Sequence, residues 1–316
     1  LSLHDALPIY IGFDLQAKYN GTDYKANVGV EDYSKFLKNE DTLIDIKVEN
    51  PVPFTLKGDL KSTDNGKELK NFTLTHKQTT ARGNIVFKNL ANGINSISGS
   101  VVLDSENIED LRKLTDLKNY NDDFNQISGK GKAVISFSTT GKSDYDYKRN
   151  LDAEGSLKVT NAAIYGIDLE EFLRSMGQVK MEKNPNKSIP IDSIDSSFVS
   201  NKGLVNISNF KMLNNKGTAT GNGTVDIADE RINSNLNINA SVEGNSVNLP
   251  LLITGDLKNP IVKPMAIKAI ITNASQLKQF TDQIKNEKVR DTLKSVFDVL
   301  GGVGQDEPVQ QKTPGQ

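Results

Sequence analysis

The side chains that could carry covalent or acid–base chemistry are few in this chain, and they stand apart from one another. There is no cysteine, and the two histidines are His4 and His76. Without thiols there are no disulfides, thiolate nucleophiles or zinc–thiolate centres. His4 falls within residues 1–9, LSLHDALPI, which read as a non-native leader outside the fold. His76 continues Phe72 and Leu74 on one strand face, so Ser-His-Asp relays and multi-histidine metal sites lack their members. Ser275-Gln-Leu-Lys278 has the S-x-x-K spacing of penicillin-recognising enzymes, but the companion motifs are missing and Ser275 stands where a helix cap belongs. Gly217, Gly221 and Gly223 lack the full dinucleotide-binding spacing and sit inside a strand pattern with no helix after them. Close packing or bending of a sheet is the use left for them. Asp104-Ser-Glu106, and Asp192 with Asp195, lack the glycine and ligand spacing of an EF-hand and read as solvated turns. The sequon Asn206-Ile-Ser208 falls in a strand pattern. No catalytic, cofactor-binding or metal-binding residue is therefore expected, and the chain reads as non-enzymatic.

What remains is apolar. From Ile232 to Val242 the residues Ile232, Leu236, Ile238, Ala240 and Val242 share one side of a strand. Asn233, Asn235, Asn237, Asn239 and Ser241 take the other. Side chains two apart on a strand point the same way, so this is a sheet with one dry and one wet side. Val225, Ile227, Ile232, Leu236, Ile238, Val242, Leu249, Leu251 and Ile253 can line a continuous dry face across neighbouring strands. Two readings are open for it: a core that a helix covers, or a groove for acyl chains. Each CH₂ removed from water contributes about 0.8 kcal/mol, so Ile, Leu and Val alone suffice to hold a lipid. On composition alone the core reading has the stronger claim.

The elements around this face are strand after strand. A hairpin over 10–30 turns at Asn20-Gly21, and a short helix is expected over Val30–Leu37. Strands follow at Thr42–Glu49, Pro53–Leu60, Leu69–Lys77, Thr80–Lys88 and Ile94–Leu103, with Asn-Gly at 65–66 and 92–93 as positive-φ corners. A helix is expected at Ser105–Leu117, a loop at Asn119–Gly129, and strands at Gly131–Thr139 and Gly155–Asn161. Asp168–Met176 reads as a helix with a capping-box spacing from Asp168 to Glu171, and Gly177 ends it. Met181–Pro190 reads as a loop. After the strands of 197–264, Ser275–Leu300 carries an amphipathic helical stripe and 303–316 carries none.

The bulk composition agrees with an open sheet. Only 36% of the 316 residues are hydrophobic and 6% aromatic, and the net charge is −2. The charges are scattered, which gives nucleic acid no basic stripe to bind. No run approaches the roughly 18 apolar residues of a membrane-spanning helix. No signal peptide is visible, and the chain opens on Leu1, so any anchor is expected upstream.

Four stretches carry a resemblance. Gly221-Asn-Gly-Thr-Val-Asp-Ile227, the alternating strand after it, and Leu249-Pro-Leu-Leu-Ile-Thr-Gly-Asp-Leu-Lys-Asn-Pro260 follow one another as in the C-terminal region of the AsmA family. Val159-Thr-Asn-Ala-Ala-Ile-Tyr-Gly-Ile-Asp-Leu169 is similar to a segment that precedes them in that family. The likeness covers 152–264 and, in rhythm only, 40–115. It implies a mainly β protein: an elongated, curled antiparallel sheet with short capping helices and a C-terminal helical segment. It also implies a periplasmic place, an anchor in the inner membrane, phospholipid as partner, and a part in outer-membrane biogenesis and homeostasis. The divisions expected are a leader (1–9), a β-rich repeat region (10–150), a C-terminal β region (151–270), an amphipathic helical segment (271–302) and a disordered tail (303–316). The alternative is a structural or adhesive stalk whose asparagine-rich strands carry no lipid.

Overall fold

The computed structural model describes residues 9–19, 22–115, 126–166, 168, 184, 186–242, 245–257, 260–265 and 268–270. The expected turn at Asn20-Gly21, nearly all of the helix at Asp168–Met176, the stripe at Ser275–Leu300 and the tail at 303–316 lie outside the described residues.

The strands are β1 (Ile11–Tyr19), β2 (Thr22–Val30), β3 (Thr42–Asn50), β4 (Phe54–Thr63), β5 (Gly66–His76), β6 (Thr79–Asn89), β7 (Asn95–Ser105) and β8 (Ile127–Gly141). After them come β9 (Asp152–Tyr165), β10 (Ser188–Asn201), β11 (Leu204–Asn214), β12 (Gly217–Asp226), β13 (Arg231–Val242), β14 (Asn245–Asp256), β15 (Pro260–Pro264) and β16 (Lys268–Ile270). Among the described residues three α-helices interrupt them: α1 (Tyr33–Leu37), α2 (Ile108–Thr115) and α3 (Asp144–Arg149). All the described strands belong to one antiparallel sheet. From β1 to β15 each strand pairs with the next in chain order, and β16 pairs with β14. β1 and β15 do not meet, so the sheet is elongated and open. At about 4.8 Å per strand its two edges lie some 65–70 Å apart along the surface.

Register assigns the two faces. On one face, directly paired residues form a single row across the sheet: Phe13, Val28, Ile46, Leu56, Leu74, Ala81, Leu103, Ala133 and Leu157. One step along β9 the row resumes at Val159 and passes through Ile194, Met212, Ala219, Ile238 and Leu249. Every member is apolar. The row beside it on the opposite face runs Asp14, Asn27, Lys47, Thr55, Thr75, Thr80, Asp104, Lys132, Lys158, Asp195, Lys211, Thr220 and Asn237. One face was made for an apolar environment and the other for water.

A period of two stays in phase only if extra residues are absorbed. β5 has one at Asn71 and β9 one at Asn161, both with positive φ (49° and 50°). Asparagine tolerates that region better than most residues. Across these bulges Leu69 and Phe72 stay on one face, as their partners Ile85 and Gly83 require. β11 has another bulge between Ile207 and Phe210. Asparagines of the polar face also bond the backbone at these irregularities: Asn71 N–H donates to Asn84 Oδ1 (2.9 Å), and Ser197 N–H to Asn209 Oδ1 (2.8 Å).

α2 lies on the apolar face. Its Ile108 packs with Val159, Ala162 and Ile191, and a Cβ on Gly131 would run into the Ile108 side chain. Glu109 beside it is buried, and its carboxylate accepts from Arg112 Nε and Nη2 and, at 3.2 Å, from the Ile127 N–H.

α3, which the sequence reading passed over, sits on the opposite edge. Ser143 and Asp146 form a capping box at its start. From its far end Arg149 reaches Asp226 (3.3 Å) and Lys148 reaches Glu230 (3.5 Å), while Tyr145 Oη donates to Asp229 (3.2 Å). The helix therefore straps the β8–β9 connection to the β12–β13 turn. Backbone bonds from Gly203 N–H to Leu151 O (2.9 Å) and from Ile227 N–H to Gly203 O (3.0 Å) follow the same edge.

Other expectations shift. Val30 belongs to β2, and α1 starts only at Tyr33, capped by Asp32. Ser188–Pro190, expected in a loop, opens β10, and Ile127–Gly129 opens β8. Of the two Asn-Gly corners, Asn92-Gly93 has positive φ at both residues (61° and 70°), whereas Asn65 and Gly66 do not. Gly66 is instead the first residue of β5, where a Cβ would collide with the Phe87 carbonyl.

Replacing Arg112 with Leu leaves Glu109 buried without its ion pair. Urea unfolding should show a loss of about 3–5 kcal/mol, and a wild-type midpoint would mean that α2 is not fixed by this pair. Asp146 accepts from the Lys142 N–H and from Ser143, and these bonds hold its carboxyl below the usual 3.8. A depressed carboxylate stabilises the fold above its unfolded pKa, and the contribution disappears as pH falls through the lower folded value. Amide exchange at 143–147 should therefore stay protected at pH 5 and rise below about pH 4; a rise centred near pH 6 would contradict the capping role.

Candidate functional site

The apolar face is concave. Ile164 of β9, Ile189 of β10, Phe210 and Met212 of β11, Ala219 of β12 and Leu236, Ile238 and Ala240 of β13 surround one cavity of about 250 Å³. On a flat sheet β9 and β13 would stand about 19 Å apart, so only a curled sheet brings them around one space. β12 explains how it curls. Its inner face carries Gly217, Ala219, Gly221 and Gly223, and a Cβ at Gly223 would strike Ser234 while one at Gly221 would strike the Asn235 carbonyl. Small residues at the bottom of the bend let β13 approach β12 closely.

The expected face separates into parts. Ile238 (7% exposed), Leu249 (0%) and Leu251 (1%) are buried and directly linked by the β13–β14 register, Ile238 to Leu249 and Leu236 to Leu251. Val225, Ile232, Leu236 and Ile253 are half-buried. Val225 pairs with Ile232, and Ile253 lies opposite Ser234. Ile227 stands just past the end of β12, in the 227–230 turn rather than on the strand. The Val242 side chain lies outside the described ones. The structure therefore sets seven of the nine predicted residues on one face; Leu236 and Ile238 line the cavity, Leu249 and Leu251 are packed out of reach beside it, and Val225, Ile232 and Ile253 are half-buried further along.

The face also reaches much further than the sequence reading placed it. Val28, Ile46, Leu56, Leu74, Leu103, Val101, Ile135, Phe137 and Phe198 are only half-buried, and Phe13 (43%), Leu15 (53%) and Leu157 (39%) are exposed. In a two-layer protein these positions would be core. Each strand's own alternation is written in the sequence; that the strands align into one row is not, because register is set by pairing and bulges.

His76 is buried at the strand end, where its Nδ1–H donates to the Pro53 carbonyl (2.7 Å), beside the buried hydroxyl pair Thr79–Ser105 (2.6 Å). On the wet face, Lys25–Glu49 and Lys57–Asp45 are exposed pairs in which hydrogen bonding raises each lysine and, for the first pair, lowers the glutamate. Such exposed pairs add little stability. Among the described residues no group of three or more His, Asp or Glu side chains is placed to hold a metal, and no helix is long and apolar enough to cross a membrane.

Packed and half-buried positions should respond differently to substitution. Leu249→Ala should cost about 2–5 kcal/mol in urea unfolding. Leu236→Asp, at the half-buried cavity wall, should cost no more than about 1–2 kcal/mol. Equal losses would make the whole face ordinary core. No protein-family model, curated protein or solved structure matches the chain.

Proposed function

We propose that the apolar face is a groove that holds or conducts phospholipid acyl chains, and that the protein acts without enzymatic chemistry. The observation that carries this reading is the row of apolar residues running without a polar break from Phe13 to Leu249 while much of it stays accessible. A core of this extent would be covered. The curled end supports the same reading, since its cavity of about 250 Å³ is lined almost wholly by apolar side chains. Burying eight methylenes there contributes about 6 kcal/mol, with no polar partner needed. The polar outer face lets a lipid-loaded protein remain in water.

The resemblance of its motifs to AsmA-type sequences supports setting this activity in the periplasm of a Gram-negative envelope. There the protein would be held to the inner membrane by an anchor outside this sequence and would serve outer-membrane biogenesis and homeostasis. The support is the order of motifs from Gly221 to Pro260, which coincides with β12, β13 and β14 and so with one end of the groove.

Native mass spectrometry of the gently purified chain, with lipid extraction from the same sample, tests the reading. Phospholipid should be retained at near-stoichiometric amounts, and Leu236→Asp should reduce it severalfold. Asn235→Asp, one residue away on the wet face, should leave it unchanged. A wild-type protein without lipid would favour a passive stalk, and equal retention in all three proteins would place the lipid elsewhere.

A further inference from the structure

We propose that the cavity between β9 and β13 seats the methyl-terminal part of a single acyl chain, with the anionic end of that chain at the β11–β12 turn. This deepens the acyl-chain reading of the groove and rests on it. The cavity is a bounded seat rather than a stretch of open trough. On the side toward β8, its lining residues Ile164 and Met212 pack against the buried cluster of Val159, Ala162, Ile191 and Ile108, the last contributed by α2. On the side toward β14, Ile238 pairs with Leu249 and Leu236 with Leu251, and both β14 leucines are buried. At about 30 Å³ for a water-sized group, the 250 Å³ between these walls holds about eight methylenes. That is part of one ordinary acyl chain and leaves no space for a second beside it. A diacyl lipid must lay its other chain on the half-buried row outside, where Ile135 and Phe198 stand.

Polarity orients the chain. Along the inner face of β11 the cavity lining runs Phe210, Met212, Asn214, from aromatic to polar within one strand. The polar lining residues, Asn214 and Thr218, both lie at the β11–β12 turn, where Asn214 pairs with Gly217 and its Oδ1 accepts the Lys216 N–H (2.9 Å). Lys216, exposed in that turn, brings a positive charge, and the turn Asn214-Asn-Lys-Gly217 has no acidic residue to offset it. The far end of the lining is Leu236, four residues from Ala240 along β13 or about 13 Å away. It stands opposite Gly221, with no polar lining residue near it. An apolar chain with one anionic end matches this gradient. A free fatty acid and a phospholipid both present that chemistry, through a carboxylate or a phosphate.

Photolabelling locates the chain. A twelve-carbon fatty acid with a diazirine at its methyl end should label Leu236 and its neighbours on β13. The same acid with the diazirine beside its carboxylate should label residues 214–218. Saturated acids of increasing length should displace the probe with affinity rising about fourfold per methylene until about eight are seated, and more slowly after that. Phe210→Ala enlarges the cavity and should move this break to a longer chain. A monoacyl phospholipid and its diacyl counterpart should each displace the probe at one lipid per protein; displacement by the acids alone would keep the seat and assign it to free fatty acids. Labelling confined to the row between Phe13 and Leu157, exchanged positions for the two probes, or one slope through sixteen carbons overturns the seat while the groove reading survives. A protein that binds neither acids nor phospholipids overturns both.

Discussion

Side chains alternate across a strand with a period of two, and everything in this molecule depends on that alternation staying in phase from β1 to β14. A slip of one residue anywhere would carry an isoleucine to water and a lysine to the groove. The ladders do contain irregularities, but they are compensated. Asn71 and Asn161 each take up an extra residue in a left-handed conformation, and the apolar residues on either side of them still share a face. The asparagine content of the chain thus has a structural use. These side chains tolerate positive φ at the bulges, and on the wet face they accept the backbone hydrogen bonds of Asn71 and Ser197.

Much of the architecture was legible because each strand carries its own pattern. Thr42–Asn50, Phe54–Thr63 and Ile232–Val242 announce themselves by alternation, and the structure returns them within a few residues of the expected ends. The elements that went unread depend on signals of another kind. α3 has a capping box at Ser143–Asp146, but it is a single turn and a half with no apolar stripe, so periodicity misses it. Ser188–Pro190 looked like loop because proline breaks a ladder. At Pro190 the strand is only beginning, opposite Ala163, where the loss of one donor is tolerated. Ile227 shared the parity of Val225, yet parity does not say where a strand stops.

The groove was legible only in part, for the same reason. Seven of the residues expected between Val225 and Ile253 share one face of the sheet, and that was readable because they are close in sequence and nearly continuous. Phe13, Ile46, Leu74 and Leu103 belong to the same row, yet no window of sequence contains two of them. Only the register of the ladders joins Leu74 to Ala81 and Ala81 to Leu103.

The row is not uniform, and its gradient bears on what a bound chain would experience. Toward β1 the inner face is built of large side chains that remain open, from Phe13 through Leu56. Toward β14 it narrows around Gly217, Ala219 and Gly221, and the side chains beneath, Ile238 and Leu249, are fully packed. An apolar ligand gains free energy in proportion to the area it removes from water. Under the proposed reading, it would be held loosely where the sheet is broad and more firmly where β9 to β13 curl around it. Polar groups stand at the margins of the sheet: α3 straps one edge, and the buried Glu109–Arg112 pair lies in α2, whose Ile108 packs on the inner face near the other. The apolar surface supplies the attraction, and the polar and charged groups at its margins decide the shape in which that attraction is presented.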